Sequence, residues 1–434
     1  MTTQITICGG GNAAHTLAGL LSSRQDLSVQ VYAPFGNEAQ LWQEGIQQNN
    51  GITVNTPTSK IQGRPSAICR DPSAAVAGSQ LVLLALPAFA HEPILKQIAA
   101  HISPGAWVGA LPARGGFDLC VREVLKGCLS EISIFGFQTL PWACRIQEFG
   151  KRVTILGAKE QVDLTAWPSG MAPIISARLQ ELLSMTINPT ASFLSLTLAD
   201  TGQLIHPGIM YGLFHDWNGQ PYDKPRLFYQ GVDTSIAAVL QQMSDEIQSL
   251  RATLEGYYPC LDLSAVRPLI DWLRLSYQVN IADSSTLQTS FATNSSYSGL
   301  LAPMQKTDGG FIPDFQARYL SEDVPYNLLV TRGIAELAGV STPVIDKVLS
   351  WSQKRLEKEY LTSGKMQGAD LHDTRSPQRY GFTNLDQFMQ EMKYLPPLKI
   401  MSKFSDKDHL NQSAKACTIQ NNVKSKRTNP KFLE

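Results

Sequence analysis

The chain has 434 residues, which at roughly 150 per domain implies two or three domains with well-buried cores. Lysine plus arginine and aspartate plus glutamate both number 37, and this zero formal net charge argues against a protein that coats nucleic acid or an anionic membrane. Charged residues are 17% and hydrophobic ones 43%, the balance of a compact globular protein.

Residues 4–8 read as a short buried strand, 13–24 as a helix, 29–32 as a second strand and 38–48 as a helix. The runs 81–86, 106–111, 133–137 and 153–156 read as further strands. Near-continuous apolar strands alternating with helices predict an α/β Rossmann domain, a doubly wound parallel sheet covered on both faces. Residues 161–200 have no clear periodicity. Helical spacing then takes over at 234–257, 264–277, 327–338 and 343–360, predicting an all-helical C-terminal domain. The expected division is 1–195, 196–395 and a polar tail at 396–434. That tail carries eight Lys/Arg against three Asp/Glu and is expected to be disordered. Its basic run at 424–427 is read as a solvated segment rather than a targeting patch.

The longest apolar run, Leu81 to Ala90, contains Pro87 and falls far short of the ~20 residues of a membrane helix. Seven scattered cysteines form no CxxC pair, so neither a disulfide framework nor a zinc knuckle is expected. The polar opening Thr2-Thr3-Gln4 does not read as a signal peptide. A cytoplasmic protein with reduced thiols is the expectation.

The sharpest local signal is Cys8-Gly9-Gly10-Gly11-Asn12-Ala13-Ala14, where the first strand turns into the first helix. Gly9, Gly11 and Ala14 supply a tight turn, close approach of a pyrophosphate and close helix–strand packing. The helix N-terminus adds free N–H groups and partial positive charge. The second strand runs into Tyr32-Ala33-Pro34-Phe35, which offers neither an acid for NAD nor an arginine for NADP. NAD is favoured because no basic residue awaits a 2′-phosphate.

His206 lies in the apolar stretch Leu204-Ile-His-Pro-Gly208 and is either a core histidine or a general acid/base. Arg318-Tyr-Leu-Ser-Glu-Asp323 could supply a carboxylate-binding guanidinium and a carboxylate to orient an imidazole, or simply a charged helix entry. His15 is expected to pack on the first helix. His91, in Pro87-Ala-Phe-Ala-His91, stands near a strand end where ligands bind in such sheets. Core packing is the default for Cys144 and Trp272, and no metal-ligand spacing is present, so no catalytic metal is expected.

Together these motifs resemble the opine dehydrogenases, most closely their marine-invertebrate group, from the glycine turn to about residue 390. The match is carried by Pro87-Ala-Phe-Ala-His-Glu92, Thr139-Leu-Pro-Trp-Ala-Cys-Arg-Ile146, Glu148-Phe-Gly150, His206-Pro207 and Leu227-Phe-Tyr-Gln-Gly231. It continues through Asp308-Gly-Gly310, Pro313-Asp-Phe315, Arg318 to Asp323 and Pro377-Gln-Arg-Tyr-Gly-Phe382. The resemblance implies an NADH-linked condensation of pyruvate with an amino compound, catalysed by a monomer. It implies His206 as acid/base paired with Asp323, Arg318 on the substrate carboxylate, and Cys144 and Trp272 at the amino-substrate region. Gly9, Gly10, Gly11, Asn12, Ala13, Ala14 and Phe89 would hold the cofactor. One departure matters. Arg114 stands where arginine-using members have a neutral polar residue; it is either a surface charge or, in the cleft, would favour a small donor with a second anionic group: taurine, β-alanine, alanine or glycine. The alternatives are a keto-acid reductase of the ketopantoate or glycerol-phosphate type, for which no suitably placed lysine is evident, and a non-catalytic dinucleotide sensor.

Overall fold

A computed structural model describes residues 2–394; the expected tail at 396–434, with its basic run, lies outside the described residues. Strands β1 (Thr3–Cys8), β2 (Leu27–Tyr32), β3 (Ile52–Asn55), β4 (Lys60–Gly63), β5 (Ala67–Cys69) and β6 (Leu81–Leu84) come first. They are followed by β7 (Trp107–Ala110), β8 (Ser133–Phe137), β9 (Trp142–Glu148), β10 (Arg152–Ala158), β11 (Gln161–Trp167) and β12 (Thr186–Pro189). Helices α1 (Asn12–Leu21), α2 (Glu38–Asn49), α3 (Pro72–Val76), α4 (Ala88–Ile98), α5 (Phe117–Val124) and α6 (Ala172–Leu183) are interleaved with them.

Eight strands form one sheet in the order β12-β11-β8-β7-β6-β1-β2-β5. β1 pairs in parallel with both β2 and β6, so the chain winds outward in both directions from β1. The strand order therefore reverses between β1 and β6, and the crevice at their carboxyl ends is the ligand-binding place of such sheets. All four residues of β6 are buried, as a strand covered on both faces requires. The sheet departs from all-parallel at its β11 edge: β11 runs antiparallel to β8, and β12 runs parallel to β11.

A second, four-stranded sheet, β4-β3-β10-β9, was not foreseen. Residues 153–156 were expected in the main sheet; they lie instead in β10, antiparallel to β9 and parallel to β3. Leu17 and Ala18 of α1 share one core with Ile52, Val54 and Val153, so α1 is enclosed between the two sheets.

Beyond Pro189 the chain turns helical, with α7 (Phe193–Ala199), α8 (Gly202–Phe214) and α9 (Thr234–Tyr257). A Cβ at Gly208 or Gly212 would lie 2.5 Å from Leu240 or Ile236, so these two glycines let α8 press against α9. His206, two residues before Gly208, is turned away from that contact by the ~100° step of the helix. The expected helix at 327–338 begins as a wider π-helical turn, Val324–Leu328, and becomes regular over Leu329–Ala338. A small hairpin, Met304–Thr307 with Gly310–Pro313, interrupts the otherwise helical half.

Candidate active site

The glycine turn lies at the sheet's switch point. Gly9 adopts φ +132°, and a Cβ there would sit 2.7 Å from the Ala85 carbonyl oxygen. Gly11 caps α1 without any side-chain bond, and nothing lies within 4 Å of where its Cβ would be. No side chain caps the first N–H groups of α1, which fits a dinucleotide diphosphate. Ala13 is half-buried and Ala14 fully buried against the sheet. Asn12 works sideways: its Oδ1 accepts the Ile146 N–H at 2.8 Å and ties α1 to β9. Phe89, at the start of α4, is 56% exposed.

Two histidines near this crevice are structural. His15 Nε2 accepts the Gly150 N–H at 2.8 Å, so its Nδ1–H donates to the Gly11 carbonyl at 3.1 Å. Burial pushes its pKa down to about 4, although the backbone bond to Gly11 favours the protonated ring. His91, beyond the end of β6 where a ligand could bind, is fully buried. Its Nδ1 accepts from Arg375 Nη2 at 3.0 Å and its Nε2 bonds the Leu86 carbonyl. Both ring nitrogens are occupied inside the core.

The second centre joins residues far apart in sequence. His206 Nδ1 lies 2.7 Å from Asp323 Oδ2, and His206 Nε2 lies 3.2 Å from the Tyr229 hydroxyl. Burial works to raise the Asp323 pKa, but the charges of Arg114 and His206, with hydrogen bonds from His206 and Asn327, hold it below the usual value. An ionised carboxylate can only accept, so Nδ1 carries a proton, and in the neutral form of the ring Nε2 is left with its lone pair toward Tyr229. Tyr319 stacks on the imidazole with ring centres 4.2 Å apart. One edge of the ring is therefore fixed and one face covered, while the side chain keeps 19% exposure.

Arg114 departs from expectation. Its guanidinium reaches Asp323 Oδ1 at 3.0 Å, Asp200 Oδ2 at 3.2 Å and Glu322 Oε1 at 3.6 Å. Burial would lower its pKa; the three carboxylates outweigh that and raise it. A cation already facing three carboxylates has no net charge left for a substrate anion. The sequence left this charge either in the cleft or on the surface; it is instead spent inside the protein. Asn327 completes the cluster, donating to Asp323 Oδ1 and Asp200 Oδ2 and accepting the Gly115 N–H at 2.6 Å. Arg318 is different: it pairs with buried Glu322, but its side chain is 56% exposed.

Cys144 lies on β9, 4% exposed, in the core beside α1, and burial pushes its thiol pKa up, so it is not a poised nucleophile. Its neighbour Arg145 is exposed and acts electrostatically on Tyr319. Trp272 reaches the centre through rings: it packs edge-on to Tyr277, Tyr277 meets Tyr297, and Tyr297 stacks on Tyr229 at 4.0 Å. Asp200, Tyr229, Tyr319 and Asn327 were not singled out from sequence. Tyr229 and Tyr319 sit inside matched motifs, which was the available signal. Among the described residues no group of three His, Cys, Asp or Glu could hold a metal.

A family model for the α-helical domain of NAD/NADP octopine/nopaline dehydrogenases matches residues 189–356. Tauropine dehydrogenase of Arabella iricolor is 37% identical over 394 residues, covering 89% of this chain and 99% of that enzyme. Solved structures of octopine dehydrogenase with NADH and L-arginine, and with NADH and pyruvate, superpose with TM-scores of 0.85 and 0.82. Their identities are 36% and 35%, each covering 90% of this chain and 98% of the other.

Proposed function

The chain belongs to the opine dehydrogenase family of NAD-dependent oxidoreductases, and on that premise we propose that it joins pyruvate to a small amino compound by reductive condensation. The observation that carries this reading is the His206–Asp323 pair, 2.7 Å apart, with the exposed guanidinium of Arg318 on the same turn as Asp323.

In this reading the turn Gly9 to Ala14 and the N–H groups of α1 hold the diphosphate, with Phe89 at the crevice rim. Bound NADH supplies the hydride. Arg318 fixes the carboxylate of the 2-oxo acid, through guanidinium N–H groups left free by Glu322. His206 Nε2 takes a proton from the amine, freeing its lone pair to attack the keto carbon, and returns it to the departing hydroxyl as water forms. Asp323 holds Nδ1–H and thereby keeps Nε2 available. Overall, amine and keto acid lose one water, and the imine gains a hydride and a proton. Tyr319 and Tyr229 exclude water from one side of the imidazole.

The donor is a small one: taurine, β-alanine, alanine or glycine rather than arginine. What supports this is crowding, since the Tyr229 and Tyr319 rings stand against His206 and Tyr297 stacks behind Tyr229. The exposed Arg145, rather than Arg114, is the cation free to meet the donor's carboxylate or sulfonate. Cys144 and Trp272 shape that side at a distance.

The test is NADH oxidation with pyruvate alone, then with each amine in turn. The expected result is oxidation that requires an amine, fastest with a small one. Oxidation with pyruvate alone would make the protein a keto-acid reductase and remove the condensation step.

A further inference from the structure

Gly10 is the middle residue of the glycine triplet. The fingerprint leaves this position free, and Gly10 has no left-handed φ that would demand glycine. Space demands it instead. A Cβ on Gly10 would lie 2.6 to 2.9 Å from all three atoms of the Glu38 carboxyl group. Glu38, the first residue of α2, thus lays its carboxylate flat over the turn. Its Oε2 is shut off from solvent with no hydrogen-bond partner, and among the described residues no cation pairs with it. Burial raises its pKa, the direction expected of a carboxylate left without donors.

An orphaned buried acceptor is costly and marks a place where a partner is missing. We propose that Glu38 accepts the hydroxyls of the cofactor's adenosine ribose and is the residue that selects NADH over NADPH. The acid expected at the end of β2 is absent there. The chain runs on through Ala33–Asn37 and supplies it from the start of α2, while Gly10 keeps the path to the turn clear. A carboxylate at this spot accepts from a 2′-hydroxyl and repels a 2′-phosphate. The inference rests on NADH occupying this turn, and titration of the unaltered protein tests that separately.

The experiment is a fluorescence titration with NADH and with NADPH, without substrates, on the wild type and on Glu38→Gln. Thermal melting of both without cofactor runs alongside. The wild type should bind NADH more tightly. Glu38→Gln should weaken NADH about 10-fold or more while NADPH binding holds or improves, with melting little changed. An unchanged NADH-to-NADPH ratio overturns the proposal, as does a lowered melting temperature with equal weakening of both, which would make Glu38 a support for the turn. A wild type that prefers NADPH would instead remove the premise.

Discussion

At the scale of single residues, Asp323 works with both oxygens. Oδ2 holds His206 Nδ1–H, while Oδ1 takes Arg114 and the Asn327 amide. An asparagine must turn its NH2 toward one of these sets of donors. Facing His206 it would demand the opposite tautomer; facing Arg114 it would set donor against donor. Asp323→Asn is therefore expected to lower kcat by about 100-fold or more while leaving NADH affinity intact. Asp200→Asn, which touches Arg114 and Asn327 but not the imidazole, should cost far less. Equal losses in steady-state kinetics would mean that the cluster, not the dyad, matters. His206 and Asp323 are 117 positions apart. No spacing rule pairs them; only the family motifs did, and those motifs did not reveal that Arg114 would be neutralised by carboxylates from the residue after α7 and from the 318–323 turn. A charge can be read from sequence, but its compensation depends on packing.

Elements differ in how much of themselves they announce. The helix at Thr234–Tyr257 is amphipathic over 24 residues, and its bounds were legible from periodicity alone. Strand β10 was legible as a strand but not as part of a second sheet, because alternation gives a face and not a partner. Like Asn12, His15 fastens that sheet to the glycine turn, bonded to Gly11 on one side and Gly150 on the other and stacked on Trp42 at 3.8 Å. Its depressed pKa makes this joint acid-sensitive. The unfolded chain takes up the proton near 6.5 and the folded one only near 4. The joint's stability is thus whole above 6.5 and is lost progressively as pH falls toward 4. At about 1.36 kcal/mol per pH unit between those values, the loss approaches ~3 kcal/mol. Urea unfolding at pH 7, 5.5 and 4.5 should show this decline, and His15→Gln should flatten it over the same range. A decline of the same depth in His15→Gln would assign the acid sensitivity elsewhere, with buried His91 next in line.

For the whole molecule, the decisive seam runs between the sheet half and the helical half, and it is polar. Arg114 crosses it from the loop after β7 to Asp200, Glu322 and Asp323; Glu322 crosses back to accept the Ala88 N–H at 3.1 Å. Arg375 crosses it from the far end of the chain. Only 1% exposed, it donates to the carbonyls of Ala113 at 3.0 Å and Ala88 at 2.8 Å and to His91 Nδ1. Its guanidinium also lies over the rings of Phe117 and Tyr326. Among the described residues no carboxylate pairs with it, so carbonyl dipoles and ring faces alone offset the burial of a full charge. Removing that charge relieves some desolvation, but Arg375→Met strands three buried acceptors, each worth about 1 to 3 kcal/mol. The second effect is larger, and a net loss on the order of 3 kcal/mol is expected in urea unfolding. Arg375→Lys keeps the charge but not the planar fork that reaches three acceptors at once, so it should recover only part of the loss. Because Ala88 and Ala113 follow β6 and β7 at the crevice, loosening them should also split one unfolding transition into two, with the sheet half and helical half parting first. A single transition of unchanged midpoint in Arg375→Met would show that the halves are held by Arg114 and its carboxylates alone.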